Sequence, residues 1–126
     1  MKNLADIFKA LGDETRLMMI ALLFKKPELC VCDFEGALAI SQSKASRHLQ
    51  TLKHAGFLAD RREGLWVFYR ISDALDAEST AIIRLLKTML GEDKVKDLYE
   101  QLDWWFDRKC CGDSEGCTSQ RKIGEA

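Results

Sequence analysis

The chain has 126 residues, 47% of them hydrophobic, and a formal net charge of −1, which suits one domain with a buried core and an appendage. No apolar run approaches the roughly 18 residues of a membrane span, and Met1-Lys2-Asn3-Leu4-Ala5-Asp6 is amphipathic rather than signal-like, so a cytoplasmic protein is expected. Five cysteines in that reducing setting point to metal binding or redox sensing, and away from a structural disulfide framework.

Leu4, Ile7, Phe8 and Leu11 recur at helical spacing and predict a first helix stopped by Gly12. Asp13 can cap a second helix, whose apolar face runs through Leu17, Met18, Ile20, Ala21 and Phe24 until Lys25-Lys26-Pro27 breaks it. Two cysteines, Cys30 and Cys32, then precede a short helix over Asp33–Ile40. Ser41 stands where an N-cap belongs, and Gln42–Ala55 reads as a further helix closed by Gly56. Strand-like runs at Phe57–Arg62 and Leu65–Ile71, joined near Glu63-Gly64, predict a β-hairpin. Beyond Ser72–Asp76 a helix carries Ile82, Ile83, Leu86, Met89 and Leu90 as far as Gly91. A last one aligns Val95, Leu98, Leu102, Trp105 and Phe106 on one face, expected to pack on a dimer. The expected organisation is therefore a DNA-binding and dimerisation domain over 1–92, an amphipathic helix over 93–108 and a flexible cysteine-containing tail over 109–126.

Two short helices joined by a tight turn and followed by a hairpin give a mainly α fold with a two-stranded antiparallel β-hairpin, the winged helix-turn-helix. Ala45, Leu49 and Leu52 form one apolar stripe on the second helix of that unit, leaving Gln42, Ser43, Lys44, Ser46, Arg47 and Gln50 to face outward. Amides and an arginine on such a face suit the base edges of a major groove. Arg61 and Arg62 flank the hairpin turn, where a wing tip would meet phosphate or a minor groove. Between Ser41 and Ile71 stand six bases and two acids, a basic segment on an otherwise acidic body. Trp66, Phe68 and Tyr69 read as packing groups, and His48 and His54 as surface or packing histidines rather than ligands.

The run S-Q-S-K-A-S-R-H-L-Q-T-L-K-H-A-G-F-L (Ser41–Leu58), with R-R-E-G-L-W-V-F-Y-R-I (Arg61–Ile71), L-G-D-E-T-R (Leu11–Arg16) and E-L-C-V-C-D (Glu28–Asp33), resembles the ArsR, arsenical-resistance, branch of the ArsR/SmtB metalloregulators. The resemblance spans about Leu4–Leu90. It implies a homodimeric repressor that leaves double-stranded operator DNA when a metal or metalloid binds, with the first helix and the Ala77–Leu90 helix building the dimer interface. Ser43 stands where the family usually has proline.

The Ala77–Leu90 helix has no histidine, which removes the ligand set that the family's zinc and nickel sensors place there. Soft thiolates remain, and they select trivalent arsenic or antimony as inducer, with cadmium or lead as the alternative. Positions two apart on a helix lie about 200° around its axis. Joint action by Cys30 and Cys32 is therefore expected to need an extended or unwound helix start, straining the element ahead of the DNA-reading helix. In familiar members of the family a third cysteine follows three residues after the second; here that position is Glu35. In the cadmium/lead branch an N-terminal cysteine completes the set, and none precedes Cys30. Cys110, Cys111 and Cys117 offer the missing sulfur. Three arrangements follow: the tail trio as a complete three-sulfur site, slightly favoured; Cys30 and Cys32 recruiting one tail cysteine within or across protomers; or two separate sites. The same thiols on the same fold would also serve a redox-sensing repressor. An enzyme is not expected, since the chain has no phosphate-binding loop and no C-x-x-C in a βαβ setting.

Overall fold

Three side-chain caps start three of the helices. The Asp13 carboxylate accepts from the Arg16 N–H at 3.2 Å, Ser41 Oγ from the Lys44 N–H at 3.1 Å and Asp76 from the Ser79 N–H at 2.8 Å, each satisfying a donor the helix leaves unpaired. The computed structural model describes residues 4–109; the expectations for Cys110, Cys111, Cys117 and the rest of the tail lie outside the described residues. In chain order the elements are α1 (Leu4–Leu11), α2 (Glu14–Lys25), β1 (Leu29–Cys30), α3 (Val31–Leu38), α4 (Gln42–His54), β2 (Leu58–Glu63), β3 (Trp66–Ile71), α5 (Ala77–Met89) and α6 (Glu92–Arg108).

The hairpin pairs Leu58 with Ile71 through Glu63 with Trp66 and turns at Gly64, whose φ of 61° favours glycine. The expected two-stranded hairpin is there, as part of a sheet of three strands. β1 joins it antiparallel, setting Leu29 opposite Tyr69 and Cys30 opposite Phe68, in the order β1-β3-β2. Two residues are too few for alternation to announce a strand. Their pairing seats the first cysteine against the wing.

Met19, Ile20, Leu22, Leu29, Phe34, Leu49, Leu52, Phe57 and Leu102 are fully buried, so α6 contributes to the same core as the helix-turn-helix. Tyr99 of α6 donates its hydroxyl to the Ala21 carbonyl at 2.9 Å. Trp105 lies over Gly36 of α3 so closely that a Cβ there would run into its indole ring. The aromatic helix expected to pack on a dimer is thus bound to its own α2 and α3. The glycine is what lets the ring come so near.

Candidate functional site

α4 presents the two faces its sequence predicts. Ala45, Leu49 and Leu52 are wholly buried, while Gln42, Ser43, Lys44 and Arg47 are exposed and Ser46 is half-buried. The turn into α4 passes through Ala39 in the left-handed region, φ 56°, a conformation that costs a non-glycine residue about 1–2 kcal/mol. Gln50 is committed inward: its Nε2 donates to the Tyr69 hydroxyl at 2.9 Å, tying the reading helix to β3.

Arg16, in the L-G-D-E-T-R run, staples three helices. Its Nε donates to the Ala10 carbonyl at 2.6 Å, Nη2 to the Lys9 carbonyl at 3.3 Å and Nη1 to His48 Nδ1 at 2.9 Å. A guanidinium only donates, so Nδ1 accepts and the ring is neutral. Burial holds the His48 pKa below its ordinary value; the Arg16, Arg47 and Lys44 charges lower it further and Asp13 opposes them. Position 48 is therefore a packing histidine, 8% exposed. Sequence reading took Arg16 into the L-G-D-E-T-R run but gave it no role of its own.

The wing separates two kinds of cation. Arg61 donates to both carboxylate oxygens of Glu28 at 2.8 Å, pairs with Glu63 and stacks over Phe68 at 4.5 Å. These bonds raise the Arg61 pKa and lower that of Glu28. Lys53 pairs with Asp60 at 3.1 Å and Arg70 with Asp73 at 3.8 Å. Among the described residues no carboxylate pairs with Lys44, Arg47 or Arg62. Arg61 thus braces the wing against the segment leading into β1, and the uncompensated positive charge sits on the other three.

The cysteine pair lies at the junction of β1 and α3. Cys30 is the N-cap residue with extended backbone, φ −84° and ψ 166°, and Cys32 falls in the first helical turn. Extended geometry at one partner lets both side chains reach the same side. Their Cα atoms are 5.3 Å apart and the sulfurs are joined as a disulfide, where the sequence reading expected reduced thiols. The pair therefore meets through the extended start that joint action was expected to need, with α3 regular from Val31 onward. An ion would require the reduced form, since only thiolates ligate.

Beside the pair sits Asp33, 3% exposed. Its Oδ2 accepts from the Cys30 N–H at 2.9 Å, and its Oδ1 from Trp105 Nε1 at 2.9 Å and Lys109 Nζ at 2.6 Å. Ligand atoms of Cys30, Cys32 and Asp33 lie within 4.8 Å of one another, the one such grouping among the described residues. Glu35, in the place of the family's third thiol, is not in it; burial raises its pKa.

A helix, a tight turn, a second helix with a polar outer face and a hairpin braced behind it define a winged helix-turn-helix protein. Residues 13–60 match the family described as bacterial regulatory protein, arsR family. Over 114 residues the chain is 42% identical to the arsenical resistance operon repressor of Escherichia coli strain K12, covering 90% of this chain and 94% of that one. It is 41% identical over 71 residues to the cadmium resistance transcriptional regulatory protein CadC homolog of Staphylococcus aureus, covering 56% and 59% of the two chains. Among solved structures, the homodimeric winged helix-turn-helix DNA-binding domain of Mb0332 from Mycobacterium bovis superposes with a TM-score of 0.58 at 31% identity, over 70% of this chain and 78% of that one. The AntR antimony-specific transcriptional repressor does so with a TM-score of 0.55 at 28% identity, over 70% and 77%. The chain belongs to the arsR family, whose members are transcriptional regulators and not enzymes. Among the described residues no helix is long and apolar enough to cross a membrane.

Proposed function

We propose that the chain is a cytoplasmic, metalloid-responsive repressor that binds double-stranded operator DNA as a homodimer and leaves it when trivalent arsenic or antimony binds cysteine thiolates. The observation that carries this reading is the position of Cys30 and Cys32 at the start of α3, the first helix of the helix-turn-helix. An ion there acts on α3 directly, and α3 connects to α4 through Ala39, Ile40 and Ser41 alone. Lys44, Arg47 and Arg62 supply the charge for phosphate and base contact, with Gln42, Ser43 and Ser46 beside them, while Gln50 and Arg61 position the reading helix and the wing. Cys30, Cys32, Cys110, Cys111 and Cys117 are the candidate ligands. The names of the Escherichia coli repressor and of AntR support arsenic and antimony; that of the CadC homolog keeps cadmium or lead as the alternative.

Fluorescence anisotropy of a labelled operator duplex with reduced protein tests the reading. Arsenite and antimonite release the DNA at concentrations where cadmium and lead do not. Retention of the duplex with either metalloid refutes it. The Cys30–Cys32 disulfide favours a second reading, a peroxide-sensing repressor on the same fold. There the two thiols would lose two electrons and two protons to one peroxide, giving the disulfide and two waters. Release by peroxide in the absence of metalloid identifies that behaviour.

A further inference from the structure

Resting on the metalloid reading above, we propose that Tyr69 is the positioning residue through which the cysteine pair sets operator affinity. The three-stranded sheet carries a change at Cys30 to Tyr69, and the Tyr69 hydroxyl carries it to the reading helix. Two routes lead from the pair to α4. One follows the chain through α3 and the turn at Ala39, Ile40 and Ser41; the other crosses the sheet.

Residues directly opposite in an antiparallel pair share a face of the sheet, and successive residues alternate between faces. With the order β1-β3-β2, the register lays two rows of side chains across all three strands. One row is Cys30, Phe68 and Arg61. Arg61 stacks on Phe68 and reaches past it to Glu28, the residue before β1, so a strap runs from one edge of the sheet to the other. The second row is Leu29, Tyr69 and Asp60, and this row holds α4. Gln50 Nε2 donates to the Tyr69 hydroxyl at 2.9 Å, and Lys53 pairs with Asp60 at 3.1 Å. Gln50 and Lys53 are neighbours at i and i+3 on one side of α4.

The two contacts differ in weight. Lys53 and Asp60 have side chains 38% and 29% exposed, where an ion pair contributes little. Tyr69 is 2% exposed, and a hydrogen bond to a buried hydroxyl weakens steeply once its angle or length is disturbed. Cys30 belongs both to β1 and to the N-cap of α3. Drawing its sulfur toward an ion shared with Cys32 displaces Leu29, its chain neighbour. Leu29 is wholly buried opposite Tyr69, and β1 is two residues long, so the strand has little pairing with which to resist. Tyr69 follows, and α4 loses the bond that fixes its pose.

The test compares operator affinity with and without arsenite on full-length, reduced protein, by anisotropy of a labelled duplex. Tyr69→Phe keeps the ring and removes only the hydroxyl that Gln50 reaches. It is expected to weaken operator binding by arsenite-free protein and to leave that of loaded protein unchanged. The ratio of the two affinities then contracts by about 2–30-fold, the range for residues that transmit coupling. Coupling is reciprocal: calorimetry should find arsenite binding to DNA-free protein at the wild-type level, and binding to operator-bound protein tighter by the same factor. A purely structural role would weaken operator binding equally in both states, and an unchanged ratio overturns the proposal. Ala39→Gly relaxes the positive φ of the α3–α4 turn and should leave the ratio as in wild type. Contraction in Ala39→Gly with none in Tyr69→Phe assigns the signal to the turn instead. Wild-type operator binding that arsenite does not alter overturns the metalloid reading itself, an outcome distinct from an unchanged ratio in Tyr69→Phe.

Discussion

Arg47 leaves α4 with no carboxylate beside it among the described residues, whereas Arg61, fourteen positions on, is held by Glu28, Glu63 and the face of Phe68. Equal formal charges therefore have unequal value to a polyanion. Arg47→Ala is expected to weaken operator binding by about 1–3 kcal/mol and relax discrimination between bases. Arg62→Ala should lower the slope of log affinity against log salt by about one, and Arg61→Ala should lower it less. Anisotropy titrations across a salt series separate the three, and equal slopes for Arg61→Ala and Arg62→Ala would refute the distinction. His48 supplies a second test. Its folded-state pKa lies below the ordinary 6.5, so below that pH the unfolded chain binds the proton first. The His48 contribution to stability is complete above pH 6.5 and is lost as pH falls toward the depressed value. Melting temperatures measured between pH 7.5 and 5.5 should fall more in the wild type than in His48→Gln.

At the scale of elements, α3 and α6 depend on each other through one small residue and one large one. Gly36→Ala forces a methyl group into the Trp105 ring, an overpacking worth about 1–3 kcal/mol. In a Trp105→Ala background the same substitution should cost little. A double-mutant cycle followed by urea unfolding measures that coupling, and additive effects would show that the two helices do not meet there. Such pairings were not legible in the sequence. Asp13 and Ser41 announce helix starts, and Ala45, Leu49 and Leu52 announce a buried stripe, because capping and periodicity act within a few residues. The Gly36–Trp105 fit and the Trp105–Asp33 bond join positions about seventy residues apart, and no local pattern encodes them. β1 escaped notice because it is two residues long and exists only through its pairing with β3. The thiol pair was legible as a ligand motif, while its geometry depended on whether α3 begins at Val31 or at Asp33.

At the scale of the whole molecule, the described part of the protomer leaves a pair of large apolar side chains uncovered on each of α1 and α5, besides Leu65 at the wing turn and Trp104 on α6. Leu4 and Phe8 of α1 are 49% and 57% exposed, and Leu85 and Met89 of α5 are 57% and 54%. Ile7 and Leu11 of α1 and Ile83 of α5 are buried in the core, so each helix has one apolar face satisfied and a second one in solvent. Exposed large side chains repeated at helical spacing are what an association surface requires, and the family resemblance assigns these two helices to the dimer interface. In the proposed homodimer, binding to two half-sites would make operator affinity depend on that association. Leu85→Asp places a charge on the surface without entering the core. It should shift sedimentation velocity from dimer to monomer while far-ultraviolet circular dichroism stays unchanged. Operator binding should weaken with it and become more steeply dependent on protein concentration, because dimerisation then has to accompany binding. A variant that remains dimeric, or a monomer that binds the full operator as tightly as the wild type, would remove α5 from the interface.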